Sequence, residues 1–206
     1  MISSALAIVA SYLTGSIASA VLVCKMLGKP DPRSEGSQNP GATNVLRLHG
    51  KKAAALTLLG DALKGFLPVL LIGLWGAADL VVGLAALAAF LGHLFPVFFQ
   101  FKGGKGVATF VGVLLGMHLG LGACFALVWL TLALVFRYSS LAALGAAALA
   151  PVYTLWLSPS WPLVGCNTIM AALLLWRHRP NIKKLMAGEE DRIRLGRKKE
   201  PGSSES

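Results

Sequence analysis

The chain has 206 residues, 55% of them hydrophobic and only 14% charged, with a formal net charge of +10. Soluble domains carry about 25% charged residues, so these values exclude an ordinary water-soluble domain, and apolar runs from end to end exclude one held by a single anchor. In a soluble protein such an excess of bases suggests nucleic acid; in a membrane chain the positive-inside rule competes, and the placement of the bases decides.

The first apolar run, Ser3 to Val23, has no basic segment before it and no A-x-A cleavage site, so it is expected to remain as a span and not leave as a signal peptide. Ala53 to Trp75 gives the second span and Leu80 to Phe99 the third, each near the ~20 residues that cross the hydrocarbon. Val107 to Phe136 is ambiguous, because about 30 residues make roughly 45 Å of helix, long for one upright span and short for two. Leu141 to Leu157 and Pro162 to Trp176 complete the set.

Charge resolves the ambiguity. With two short helices turning near Gly116, Gly120 and Gly122, the segments bearing Lys25–Lys52, Lys102–Lys105, Arg137 and everything from Arg177 fall on one side. The opposite connections, near Asp79, His118 and Ser158–Trp161, contain no Lys or Arg. The predicted architecture is therefore all-α: a polytopic bundle of seven transmembrane helices over residues 1–196, N-terminus outside and C-terminus cytoplasmic. A polar tail, expected to be flexible, follows over residues 197–206. The bases are thus explained by topology, and no nucleic-acid partner is expected. Frequent Gly and Ala point to close helix packing. Cys24, Cys124 and Cys166 lie far apart in apolar sequence, which fits buried small residues better than a zinc site or a disulfide framework.

The distinctive polar stretches lie on the basic side. After the first span comes "RSEGSQNPGATNVLRLHGKK", where "NPG" signals a turn and "GATN" can lead into a helix. Ser37, Asn39, Thr43 and Asn44 offer hydroxyls and amides, and Arg47 can hold an oxyanion bidentately. These groups suit either a phosphate-rich ligand or a solvated turn. In the second span, Asp61 and Lys64 share a helix face; ionisable groups at that depth line a cavity or form a structural ion pair.

"FKGGKGVAT", Phe101 to Thr109, follows the third span. Gly103, Gly104 and Gly106 let the backbone approach an anion at the start of a helix, and Lys102 and Lys105 add charge. The alternative is a flexible basic turn, and the Walker A pattern is absent. "YSSL" contributes Ser140, and "RHRPNIKKLMAGEE" contributes His178 and Asn181 at the end of the last span. His93, with no acid beside it in sequence, is assigned either to packing or to a supporting place behind the site; His49 and His118 read as interfacial.

Taken in order, "GSQNPGATNVLR", "GHLFPVFFQFKGGKGVAT" and "RHRPNIKKLMAGEE", supported by "DALKG" and "YSSL", resemble the bacterial acyl-phosphate-dependent glycerol-3-phosphate acyltransferase family over nearly the whole chain. Gln38 departs from the pattern, standing where that family commonly has glycine. The resemblance implies transfer of a fatty acyl group from acyl phosphate to the 1-hydroxyl of glycerol 3-phosphate, giving lysophosphatidic acid and inorganic phosphate. It also implies a bacterial inner-membrane protein with a cytoplasmic active site, and a soluble phosphate acyltransferase as supplier of the donor. Membrane lipid is the surrounding partner, and no cofactor or metal is expected.

Under that resemblance Ser37, Lys105, His178 and Asn181 are the catalytic candidates. Lys105 and the Gly103–Gly106 loop are matched to acyl phosphate; Ser37, Asn44, Arg47, His178 and Asn181 to glycerol 3-phosphate. Asn39, Thr43, Thr109 and Ser140 are further binding candidates, and Asp61 and Lys64 shape the pocket floor. The proton acceptor is either His178 or a substrate phosphate oxygen. No H-x-x-x-x-D pattern, the mark of acyltransferases using thioester donors, occurs in the chain. A small transporter for phosphorylated metabolites is the rival reading, with Asp61 and Lys64 on its path.

Overall fold

Over residues 2–193, which the computed structural model describes, the apolar runs fold into nine α-helices and no strand. The tail read from the sequence, residues 197–206, lies outside this range.

The first run, predicted as one span, is bent. It forms α1 (Ile2–Gly15) and α2 (Ser19–Met26), bent by 46°. Hydroxyls compete with the helical ladder at the end of α1: Ser11 Oγ donates to the Ala7 carbonyl at 2.8 Å and Ser16 Oγ to that of Tyr12 at 2.9 Å. At the break the carbonyl of Ile17 accepts from the Ser19 amide at 3.1 Å and from Lys64 Nζ at 2.7 Å, so a neighbouring helix helps to satisfy it.

The second element, α3 (Ala42–Leu74), begins well before the second apolar run. Gly50, at φ 84° and ψ −177°, separates a short leading helix from the apolar remainder. That leading piece carries Asn44 and Arg47. Next come α4 (Asp79–Leu94) and a 3₁₀ turn, Val97–Phe99.

The ambiguous stretch resolves into α5 (Val107–Met117) and α6 (Leu119–Phe136). They part at His118, between the glycines singled out by the sequence, and its Nδ1 accepts from the Gly120 amide at 3.2 Å as a cap. With only 11 residues, α5 rises roughly 17 Å, about half the hydrocarbon depth. The chain ends in α7 (Ser139–Leu157), α8 (Trp161–Arg177) and α9 (Arg179–Met186). Among the described residues four segments, α3, residues 79–99, α6 and α7, are long and apolar enough to cross a membrane, and the bent α1–α2 pair makes a fifth if it is one span.

Short α5 is the centre of the core. Phe90 of α4, Phe110 of α5 and Phe125 of α6 stack as tilted rings with centroids 5.5 and 5.4 Å apart. Gly65 lets α3 and α5 approach closely, since a Cβ there would lie 2.6 Å from the Thr109 carbonyl oxygen. Leu58, Leu59 and Leu71 of α3 and Leu127 and Leu134 of α6 point outward and exposed, as lipid-facing side chains do. All three cysteines are free thiols.

Candidate active site

Between α2 and α3 the loop is held from within by Asn44. Its Oδ1 accepts from the Ser37 amide at 3.0 Å, and its Nδ2 donates to the Pro32 and Glu35 carbonyls at 2.8 and 3.3 Å. The buried amide is thus committed to shaping the loop. Gln38 takes φ 56°, a left-handed conformation that a glycine adopts without steric cost. This accounts for the irregularity noted at that position. Ser37 and Thr43 are exposed, and the side chains of Ser37, Asn39 and Thr43 enter no hydrogen bond among the described residues. Arg47, at the end of the short helix, pairs with Asp191 at 3.0 Å.

On the same face, the Gly103–Gly106 loop lies across the end of α4, where the Gly104 amide donates to the His93 carbonyl at 3.2 Å. Arg177 grips it from α8: Nη2 donates to the Gly103 carbonyl at 2.7 Å and Nε to that of Gly104 at 3.1 Å. Gly106, at φ 91°, then starts α5 with no side-chain cap. The first-turn amides of α5 thus lack a side-chain cap among the described residues. Thr109, in that first turn, is fully buried and its Oγ1 has no partner.

Lys105 leaves this loop toward α9. Its Nζ donates to Asn181 Oδ1 at 2.6 Å; Asn181 Nδ2 donates to Glu190 Oε1 at 2.8 Å; the same Glu190 oxygen accepts from Ser140 Oγ at 2.6 Å. Burial pulls the Lys105 ammonium below the usual lysine range, with Glu190 opposing that shift. His178, at the α8–α9 junction, is buried, and its Nδ1 donates to the Leu174 carbonyl at 2.9 Å. That bond leaves Nε2 as an acceptor. Burial pushes this imidazole down to about 4.

Beneath the glycine loop lies a second polar cluster. Lys64 Nζ pairs with Asp61 Oδ1 at 2.8 Å, both groups buried, and His93 Nδ1 stands 3.6 Å from the same oxygen, beyond hydrogen-bond length. Asp61, Lys64 and His93 share a small pocket with Pro40, Gly103 and Gly104. The acid missing beside His93 in sequence comes from α3, and of the two places expected for this histidine it takes the supporting one, in a charged cluster beneath the loop.

Four stretches distant in sequence thus meet, through Arg47, Lys105, Ser140 and Asn181, and the carboxylates of Glu190 and Asp191 tie them together. Arg177, Glu190 and Asp191 were not singled out by sequence reading. "RHRPN" and "GEEDR" held the signal, as charged groups flanking chosen ones, but which loop each would reach depends on how α8 and α9 cross. Chemically, the face offers cations, hydroxyls, an amide and a neutral imidazole around an uncapped helix start, an arrangement suited to anionic phosphate esters.

A family model described as glycerol-3-phosphate acyltransferase matches residues 5–188. The glycerol-3-phosphate acyltransferase of Burkholderia thailandensis is 58% identical over 197 residues, which is 94% of this chain and 96% of that protein. That of Hydrogenovibrio crunogenus is 51% identical over 201 residues, 96% of this chain and 93% of its own. Among solved structures, the crystallised integral membrane glycerol 3-phosphate acyltransferase PlsY (YgiH), in its glycerol 3-phosphate form, superposes with a TM-score of 0.88 at 39% identity, covering 93% of this chain and 96% of that one. A lysophosphatidic acid form superposes with a TM-score of 0.86 at 38% identity, covering 92% and 95%. This multi-pass membrane chain belongs to the glycerol-3-phosphate acyltransferase family.

Proposed function

We propose that the protein transfers a fatty acyl group from acyl phosphate to the 1-hydroxyl of glycerol 3-phosphate, releasing lysophosphatidic acid and inorganic phosphate. The observation that carries this reading is the Lys105–Asn181–Glu190–Ser140 chain, which joins three of the family-like motifs beside Arg47 and the start of α5. The two forms of the crystallised relative, named for glycerol 3-phosphate and lysophosphatidic acid, support the acceptor and the product.

In the proposed step the acceptor hydroxyl oxygen bonds to the acyl carbonyl carbon. The C–O bond of the mixed anhydride breaks, and its electron pair leaves on the phosphate. Because that leaving group is already activated, the protein's work is positioning and charge stabilisation. Lys105 and the α5 N-terminus hold the acyl phosphate, Arg47 and Asn181 the glycerol 3-phosphate, and Ser37 flanks the acceptor. Asn44 acts through the loop it shapes, and Asp61 and Lys64 through the pocket floor. For the hydroxyl proton, a substrate phosphate is the better acceptor: its second pKa is about 6, whereas His178 is pushed down to about 4. His178 then positions through its neutral Nε2.

The basic face is assigned to the cytoplasm by the positive-inside rule, in a bacterial inner membrane. Counting α1–α2 as one segment and α5 and α8 as short ones gives seven, with the N-terminus outside. A soluble phosphate acyltransferase supplies the donor.

The deciding assay gives purified, lipid-reconstituted protein both substrates. Phosphate release together with lysophosphatidic acid is the expected outcome, and Arg47→Ala or Lys105→Ala is expected to reduce kcat/KM on the order of 100-fold. Metabolite flux across vesicles without acyl transfer would favour a transporter instead.

A further inference from the structure

A second cationic site lies outside this centre. Trp176, Arg177, Arg179, Pro180 and Lys183 line an open cleft of about 390 Å³, a volume typical of small-ligand pockets. None of its residues is acidic, and among the described residues Arg177, Arg179 and Lys183 form no ion pair. Bringing cations together without a carboxylate is unfavourable unless an anion joins them.

The cleft is separate from the catalytic face because α9 presents two sides. Arg179 and Lys183 are four residues apart and share one side; Asn181, two residues from each, points the other way and meets Lys105. The cationic side is also pre-shaped. The Arg179 guanidinium lies 4.7 Å from the Trp176 ring centre, and its Nε donates to the Trp176 carbonyl at 3.1 Å. Its terminal nitrogens remain free to point into the cleft beside the exposed Lys183 ammonium.

Position names the class of anion. Trp176 sits in the last turn of α8, and the inference rests on the proposed topology, in which α8 leaves the hydrocarbon there and an aromatic ring lies at headgroup depth. Met186, one turn past Lys183 on the same side of α9, is 84% exposed and apolar. Cations beside apolar, membrane-level surface match an amphiphile with a charged head. We propose that this cleft binds the phosphate of an anionic phospholipid headgroup, held by Arg179 and Lys183 against Trp176. Arg177 joins the cleft to the glycine loop, since the same side chain that lines the one holds the Gly103 and Gly104 carbonyls of the other.

The test is lipid retention by native mass spectrometry, from micelles containing phosphatidylglycerol or phosphatidylcholine. Wild-type protein should retain phosphatidylglycerol selectively. Arg179→Gln with Lys183→Gln should weaken that binding about 10-fold or more, while Lys51→Gln with Lys52→Gln, which removes equal charge elsewhere on the basic face, should not. If the first double variant does not fold, Lys183→Gln alone, at an exposed position, should still weaken it several-fold. Arg47→Ala should retain the lipid; its loss there would assign the lipid to the active site and overturn the proposal. Equal retention by both double variants, equal retention of phosphatidylcholine, or full displacement by equimolar inorganic phosphate would also overturn it. The readout is binding, so the result is independent of whether acyl transfer is observed.

Discussion

His178 is neutral in the folded protein because burial pushes its imidazole from the ordinary 6.5 down to about 4. The unfolded chain takes up this proton first, so the stability His178 contributes is complete above pH 6.5 and is lost as pH falls toward 4. His178→Gln is expected to flatten that part of the decline in unfolding temperature between pH 7 and 4. The same variant should retain substantial turnover, which would rule out His178 as the essential base. Gln38 is a local matter of backbone shape. A non-glycine residue in the left-handed region costs roughly 1 kcal/mol, so Gln38→Val is expected to lower the unfolding temperature in detergent relative to wild type, and Gln38→Gly to spare it. The sequence singled out Arg47, Lys105, Ser140 and Asn181, which the fold brings to one face. It could not show that Asn44 would spend its amide on its own loop, or that His93 would find Asp61, since those partners depend on which helices touch.

Helix breaks were legible where composition marks them. The α5–α6 break falls among glycines and a polar histidine, while that between α1 and α2 lies inside an unbroken hydropathy run and depends on hydroxyls bonding back to the helix. Where α3 meets α5, the missing side chain of Gly65 sets the spacing. Adding a branched side chain there presses on the Thr109 backbone, which opens the N-terminal turn of α5. Gly65→Val is expected to cost about 1–3 kcal/mol and to lower activity more than Gly165→Val, at a position with open space around it. Unfolding temperature and kcat/KM, measured on both variants, check this.

For the molecule as a whole, the proposed topology puts the basic residues on one face and the base-free connections on the other. In intact cells, a membrane-impermeant thiol reagent should label Pro159→Cys and not Lys51→Cys, in a background where Cys24, Cys124 and Cys166 are replaced by Ala. The reverse pattern would invert the proposed orientation. The hold of Lys64 on Ile17 bears on how this protein is made. The acceptor carbonyl emerges from the ribosome 47 residues before the ammonium that satisfies it. Until α3 arrives, that carbonyl has only the Ser19 amide, at 3.1 Å, as a partner, and Lys64 reaches the membrane with only Asp61 of its own helix to offset a charge that would cost about 3 kcal/mol at the centre of the bilayer. The contact between Lys64 and Ile17 lowers both costs further, so the first three helices should settle in the insertion machinery as one unit, the N-terminal span waiting at its gate for the third.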